Sequence, residues 1–146
     1  MIQTHNEIEI DAPPQRIFQL ASDTMRWPQI LPHYRSVRKV GQQGTSQILE
    51  MAAMRDCIPV RWTAQQWNDG AKPAITFHHL AGWTRGMHVQ WSFERNGSST
   101  LVSIIHELDF AFPVARDFLG KYVVSDFFVH NIAGKTLQCI KDLCEA

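Results

Sequence analysis

The sequence predicts an α+β fold: a seven-stranded, curved antiparallel sheet around a long C-terminal helix, with two short helices after strand 1. Three observations carry this. Apolar and polar residues alternate in successive runs between Tyr34 and Asp109, short turn signals separate those runs, and after Pro113 the apolar spacing becomes helical. One helix cannot cover both faces of such a sheet. The economical solution curls the sheet around the helix, and a curled sheet of that radius tends to keep a hollow.

The first strand is read within Met1 to Ile10, where Ile8 and Ile10 alternate with Glu7 and Glu9. Ala12-Pro13-Pro14 ends it, and proline is acceptable in a first helical turn because its missing N–H would be unpaired there anyway. Ile17, Leu20 and Ala21 then fall at helical spacing, which predicts a helix reaching Ser22. Trp27-Pro28 and Leu31-Pro32 bias the residue before each proline away from the α region, so a second helix here is short and broken. Strands follow. Val60, Trp62, Ala64 and Gln66 share one face, as do Val89, Trp91 and Phe93, and Val102, Ile104, His106 and Leu108. Turns are expected at Gly41 to Gly44, Asn68-Asp69-Gly70, Ala81-Gly82 and Asn96-Gly97. Such short connections make neighbouring strands antiparallel.

In the last helix Ala133, Leu137, Ile140 and Cys144 line up at i, i+4, i+7 and i+11. A start near Asp117 gives about 27 residues, roughly 40 Å at the α-helical rise. Asp23 and Asp117 are read as helix caps. Phe118 to Val129 is apolar on nearly every side, a surface that suits enclosure, a ligand or a homodimer.

Composition narrows the functional classes. The 146 residues fit one domain, 1–146, able to bury a core without metal or disulfide support. Hydrophobic residues make up 45% and charged residues 19%, a globular balance. The formal net charge of +0 lacks the basic excess that phosphate backbones demand, so no nucleic-acid partner is expected. Cys57, Cys139 and Cys144 form no CxxC pair and read as reduced, buried and inert. With no signal-like start and no long apolar stretch, the expectation is a cytoplasmic protein without a membrane span. No Walker loop, dinucleotide fingerprint or nucleophile elbow is present, and no cofactor is expected. His78 and His79 point to opposite faces of a strand and His88 lies on another, so no metal site is expected either.

Three segments resemble a known family. They are Ile8-Glu9-Ile10-Asp11-Ala12-Pro13-Pro14-Gln15-Arg16-Ile17-Phe18, with Ser22-Asp23 and Arg26-Trp27-Pro28-Gln29-Ile30-Leu31-Pro32 behind it; Gly86 to Phe93 ahead of Asn96-Gly97-Ser98-Ser99-Thr100; and Asn131 to Leu137. In this order and spacing the chain resembles the START-like (SRPBCC) superfamily, specifically its polyketide cyclase/dehydrase and lipid transport family. The resemblance implies the helix-grip (START/Bet v 1-like) fold and one ligand-binding domain. It also implies a small hydrophobic molecule, polyketide-, polycyclic- or lipid-like, between the concave sheet face and the long helix.

Carried onto this chain, the ligand-binding set is Trp62, Gln66, Phe77, His79, Met87, Trp91, Ile104 and His106 on the strands, Trp27 and Tyr34 near the entrance, and Phe128 and Asn131 on the helix. Three readings stay open. One is a cyclase/dehydrase-like binding protein. Another is an active polyketide aromatase/cyclase or dehydratase, with His106 or His79 as general base and Tyr34 as donor. The third is a coenzyme Q- or lipid-binding chaperone without catalysis. The aromatase/cyclases resembled here carry an arginine where Gln66 stands, and an amide cannot stabilise an enolate as guanidinium does.

Overall fold

The computed structural model describes residues 2–55, 57–82, 84–108 and 132–146. Seven strands form one sheet: β1 (Ile2–Ile10), β2 (Tyr34–Gln43), β3 (Ser46–Arg55), β4 (Ile58–Asp69), β5 (Ala74–Gly82), β6 (His88–Asn96) and β7 (Ser99–Leu108). Their order is β1-β7-β6-β5-β4-β3-β2, and every pair is antiparallel. Consecutive strands from β2 to β7 are neighbours, and β1 closes onto β7. Between β1 and β2 lie α1 (Pro14–Ser22), a 3-10 turn (Thr24–Arg26) and α2 (Trp27–Ile30). The last described element is α3 (Gly134–Glu145).

The predicted fold class is therefore present: the helix-grip arrangement of a curved sheet, short helices after strand 1 and a C-terminal helix. The expected start of the long helix, the Asp117 cap and the apolar stretch 118–129 lie outside the described residues.

Local chemistry explains the elements. Pro13 and Pro14 open α1, as their fixed φ allows. Its face of Ile17, Phe18 and Ala21 is buried, and Phe18 meets Phe93 of β6 edge-on with centroids 5.8 Å apart. Asp23 occupies the position before the 3-10 turn but makes no side-chain cap bond, contrary to its expected capping role. Of α3, Thr136, Leu137, Ile140 and Cys144 are buried, the stripe the spacing predicts with Thr136 added. Its end is tied to β1: Lys141 Nζ donates to the Glu9 carbonyl at 2.8 Å, and the Asp11 N–H donates to Glu145 at 2.8 Å.

Two turn expectations shift. β2 continues through Gly41 and Gln42 to Gln43, so the β2–β3 turn is only Gly44-Thr45. Ala81 and Gly82 end β5 and are not themselves the turn; Gly82 pairs with Trp62 of β4. Gly82 has φ +105°, and a Cβ there would stand 2.9 Å from the Arg61 carbonyl oxygen, so neither backbone nor space admits a side chain. Cys57 is exposed, against the expectation of a buried thiol; it sits in the short β3–β4 turn.

Candidate functional site

Alternation along the strands sends one set of side chains into the concave face. There, Trp27, Tyr34, Met51, Trp62, Phe77, His79, Val89, Trp91, Ile104 and His106 line a cavity, closed from the helix side by Ile132, Ala133 and Thr136. The space open to the centre of a water molecule is about 40 Å³. One water needs roughly 10–15 Å³ on that measure, so the cavity has room for a few waters.

The walls are aromatic. Trp27 packs against Tyr34 at 4.9 Å and against Phe77 and Trp91 at 6.1 Å each, between ring centroids. Trp62 lies parallel to the His79 ring at 5.7 Å. Trp27 and Tyr34, expected near the entrance, are buried within this cluster. The proline-broken segment before β2 folds inward because its apolar side chains have no other place to be buried.

Burial sets the electrostatics. His106, enclosed by the β6–β7 face, has its pKa lowered to about 4 by desolvation. His79 falls to about 3, through desolvation first and then the neighbouring His106, His78 and His88. Both imidazoles are neutral at pH 7. His79 Nδ1 lies 2.7 Å from the Thr84 hydroxyl, which fixes the ring against Trp62.

Tyr34 is held differently. Burial raises its pKa above the ordinary phenol range, and its hydroxyl is hydrogen-bonded to Thr136. The Thr136 hydroxyl donates its only hydrogen to the Ile132 carbonyl at 2.7 Å. It then accepts from Nε2 of His33, 2.8 Å away. Burial keeps the Tyr34 proton in place, and Thr136 opposes that only in part. His33 was not singled out from the sequence. It is buried, and its pKa is lowered to about 4 by desolvation and then by Lys135, against a hydrogen bond to the Ile132 backbone.

Two expected site residues stand elsewhere. Gln66 is 1% exposed but does not line the cavity. Its Oε1 accepts from the Thr24 hydroxyl at 2.7 Å and Gln47 Nε2 at 3.1 Å; its Nε2 donates to the Ser22 carbonyl at 2.9 Å and Asn68 Oδ1 at 2.8 Å. Every position an amide offers is used, so Gln66 is a clamp between β4 and the segment carrying Trp27. Met87 is fully buried, beside the β5–β6 connection, and likewise does not line the cavity. Trp62, Phe77, His79, Trp91, Ile104 and His106 do line it, together with Trp27 and Tyr34. Phe128 and Asn131 lie outside the described residues. Met51, Val89, Ile132, Ala133 and Thr136 complete the lining; of these only Thr136 carries a polar side chain, and no local pattern distinguishes it.

On the convex side His78 and His88 stack at 4.3 Å across β5 and β6. No group of three or more His, Cys, Asp or Glu among the described residues is arranged to hold a metal ion. No helix among them is long and apolar enough to cross a membrane.

Known proteins share this architecture. No curated protein matches the chain. A protein of Thermus thermophilus is 21% identical and superposes with a TM-score of 0.79, covering 97% of this chain and 95% of that one. The Zhui aromatase/cyclase of a Streptomyces species is 14% identical, with a TM-score of 0.77 and coverage of 99% and 93%. A START superfamily protein of Mycobacterium smegmatis is 14% identical, with a TM-score of 0.73 and coverage of 98% and 97%. At these identities the likeness establishes the fold. The family follows from the sequence itself: residues 10–127 match the model described as polyketide cyclase / dehydrase and lipid transport. That span runs from the end of β1 through all of β2 to β7, the strands that build the cavity, and the chain belongs to this family.

Proposed function

We propose that the protein binds a small, largely planar hydrophobic molecule in the cavity between the sheet and the C-terminal helix. The observation that carries this is the convergence of Trp27, Tyr34, Trp62, Phe77 and Trp91 on one internal space. Aromatic walls suit a ring system, whose faces and edges they can stack against. A long acyl chain gains nothing particular from them. The family description covers polyketide cyclases, dehydrases and lipid transport, and Zhui is an aromatase/cyclase; a polyketide- or polycyclic-type ligand agrees best with the aromatic wall. Burying about 300 Å² of apolar ligand surface yields roughly 7 kcal/mol gross, which association costs cut to the millimolar range, so tighter binding has to draw on ring stacking and polar contacts. The space of about 40 Å³ is smaller than any such ligand, so binding requires the aromatic side chains to move apart.

Carriage without chemistry agrees better with the polar groups than cyclisation does. A cyclase needs a base for a proton beside a carbonyl and a donor for the resulting enolate. His106 and His79 are the bases available, but pKa values of about 4 and about 3 make them weak ones. The catalytic reading keeps one support, that both imidazoles are neutral and border the same space.

The test is titration of intrinsic tryptophan fluorescence with two- and three-ring aromatics and, separately, with palmitate. The rings are expected to quench between about 0.1 and a few millimolar and Trp91→Ala to weaken them severalfold; tighter binding of palmitate would overturn the proposal. A poly-β-ketone substrate turned over by the wild type and not by His106→Ala would replace carriage with catalysis.

A further inference from the structure

We propose that the indole N–H of Trp27 selects ligands that carry a carbonyl-type oxygen on their ring system. This rests on the cavity reading above and adds the chemistry of its occupant.

Trp27 is 3% exposed and forms part of the cavity wall. Its Nε1 is buried and has no hydrogen-bond partner among the described residues. An indole nitrogen can only donate. Most buried donors in folded proteins are paired, and leaving one unpaired is destabilising, so an orphan at a cavity wall calls for an acceptor. The neighbouring rings of Phe77 and Trp91 supply none, and the Tyr34 hydroxyl does not make a hydrogen bond to this N–H.

The segment that carries Trp27 is fixed. Gln66 holds the Ser22 carbonyl and the Thr24 hydroxyl, and the Trp27 carbonyl accepts from the Leu31 N–H at 2.7 Å. These bonds fix the main chain from which the indole reaches the cavity wall. A water in the cavity can meet the indole N–H, and an occupant that displaces that water has to bring an acceptor of its own. A hydrocarbon has none. An aryl ketone offers lone pairs in the plane of its ring, where an edge-on N–H can meet them.

The experiment compares 1-tetralone with tetralin, two bicyclic molecules of nearly one shape that differ by a carbonyl, by calorimetry on wild type and Trp27→Phe. The variant keeps an aromatic ring and loses the N–H. Its affinity for 1-tetralone is expected to fall about tenfold, as for one hydrogen bond, and its affinity for tetralin to change less than twofold. Equal change for both ligands, or none, overturns the role of Trp27 and leaves the cavity standing. Failure of both ligands to bind the wild type overturns the cavity reading and this inference with it. Should Trp27→Phe not fold, ¹⁵N-labelled wild type decides: the indole resonance assigned to Trp27 through its contacts with Tyr34 must move downfield with 1-tetralone and not with tetralin.

Discussion

Gln66 shows what a buried amide does when all its valences are met. It joins Gln47, Asn68, Ser22 and Thr24, three of them on other elements. Gln66→Ala would leave the buried Thr24 hydroxyl and the half-buried Ser22 carbonyl without their side-chain partner, so urea unfolding should show a loss of about 1–3 kcal/mol. The family resemblance pointed to this position as a ligand contact, and alternation correctly placed it on the inner face. Alternation says which face a residue takes, but not how far along the strand the cavity extends. Thr136 carries the complementary lesson. One hydroxyl serves the Ile132 carbonyl, His33 and Tyr34. Thr136→Val keeps the shape and removes the oxygen, and should lower stability by about 2 kcal/mol in the same assay. His33 and Thr136 are 103 residues apart, and no spacing in the sequence announces such a pair.

At the scale of elements, the strands were the most legible part of the chain, because a period of two depends only on the pleat. Trp62, Phe77, His79, Trp91, Ile104 and His106 all reach the cavity as that period requires. The connection after β5 was less legible. Ala81-Gly82 looks like a turn, yet β5 runs on to pair Gly82 with Trp62, and the chain reverses only between there and His88. The glycine is needed for proximity as much as for turning. Gly82→Ala combines a positive φ with a Cβ 2.9 Å from a backbone oxygen that cannot easily yield. The expected loss is at least about 2 kcal/mol by thermal or urea unfolding, against about 1 kcal/mol for Gly44→Ala, where φ is +61° but nothing lies within 4 Å. Equal effects at the two sites would show that backbone angle alone matters. Depth was the other hidden quantity: the prolines around Trp27 signal a broken helix but not that its tryptophan is driven into the core.

For the molecule as a whole, the neutral charge balance conceals an acid sensitivity. His33, His79 and His106 are buried on or near the same cavity, with pKa values lowered from 6.5 to about 4, about 3 and about 4. In the unfolded chain each would take up a proton below pH 6.5, while in the folded protein each stays neutral until far lower pH. The unfolded state thus binds more protons throughout that interval, and stability falls as pH falls from about 6.5 toward the folded values, below which the loss is complete. Between pH 7 and pH 5 each imidazole withdraws a little under about 2 kcal/mol, and the three together about 5–6 kcal/mol, a large part of the stability of an ordinary domain. Urea midpoints measured at pH 7.5, 6 and 5 should therefore drop steeply across the series. His106→Leu should flatten the drop by about one third, since an apolar side chain there has no proton to gain on unfolding. A midpoint that stays level from pH 7.5 to 5 would mean that these imidazoles protonate in the folded state and that water reaches the cavity more freely than the packing of Trp62, Trp91 and Tyr34 allows.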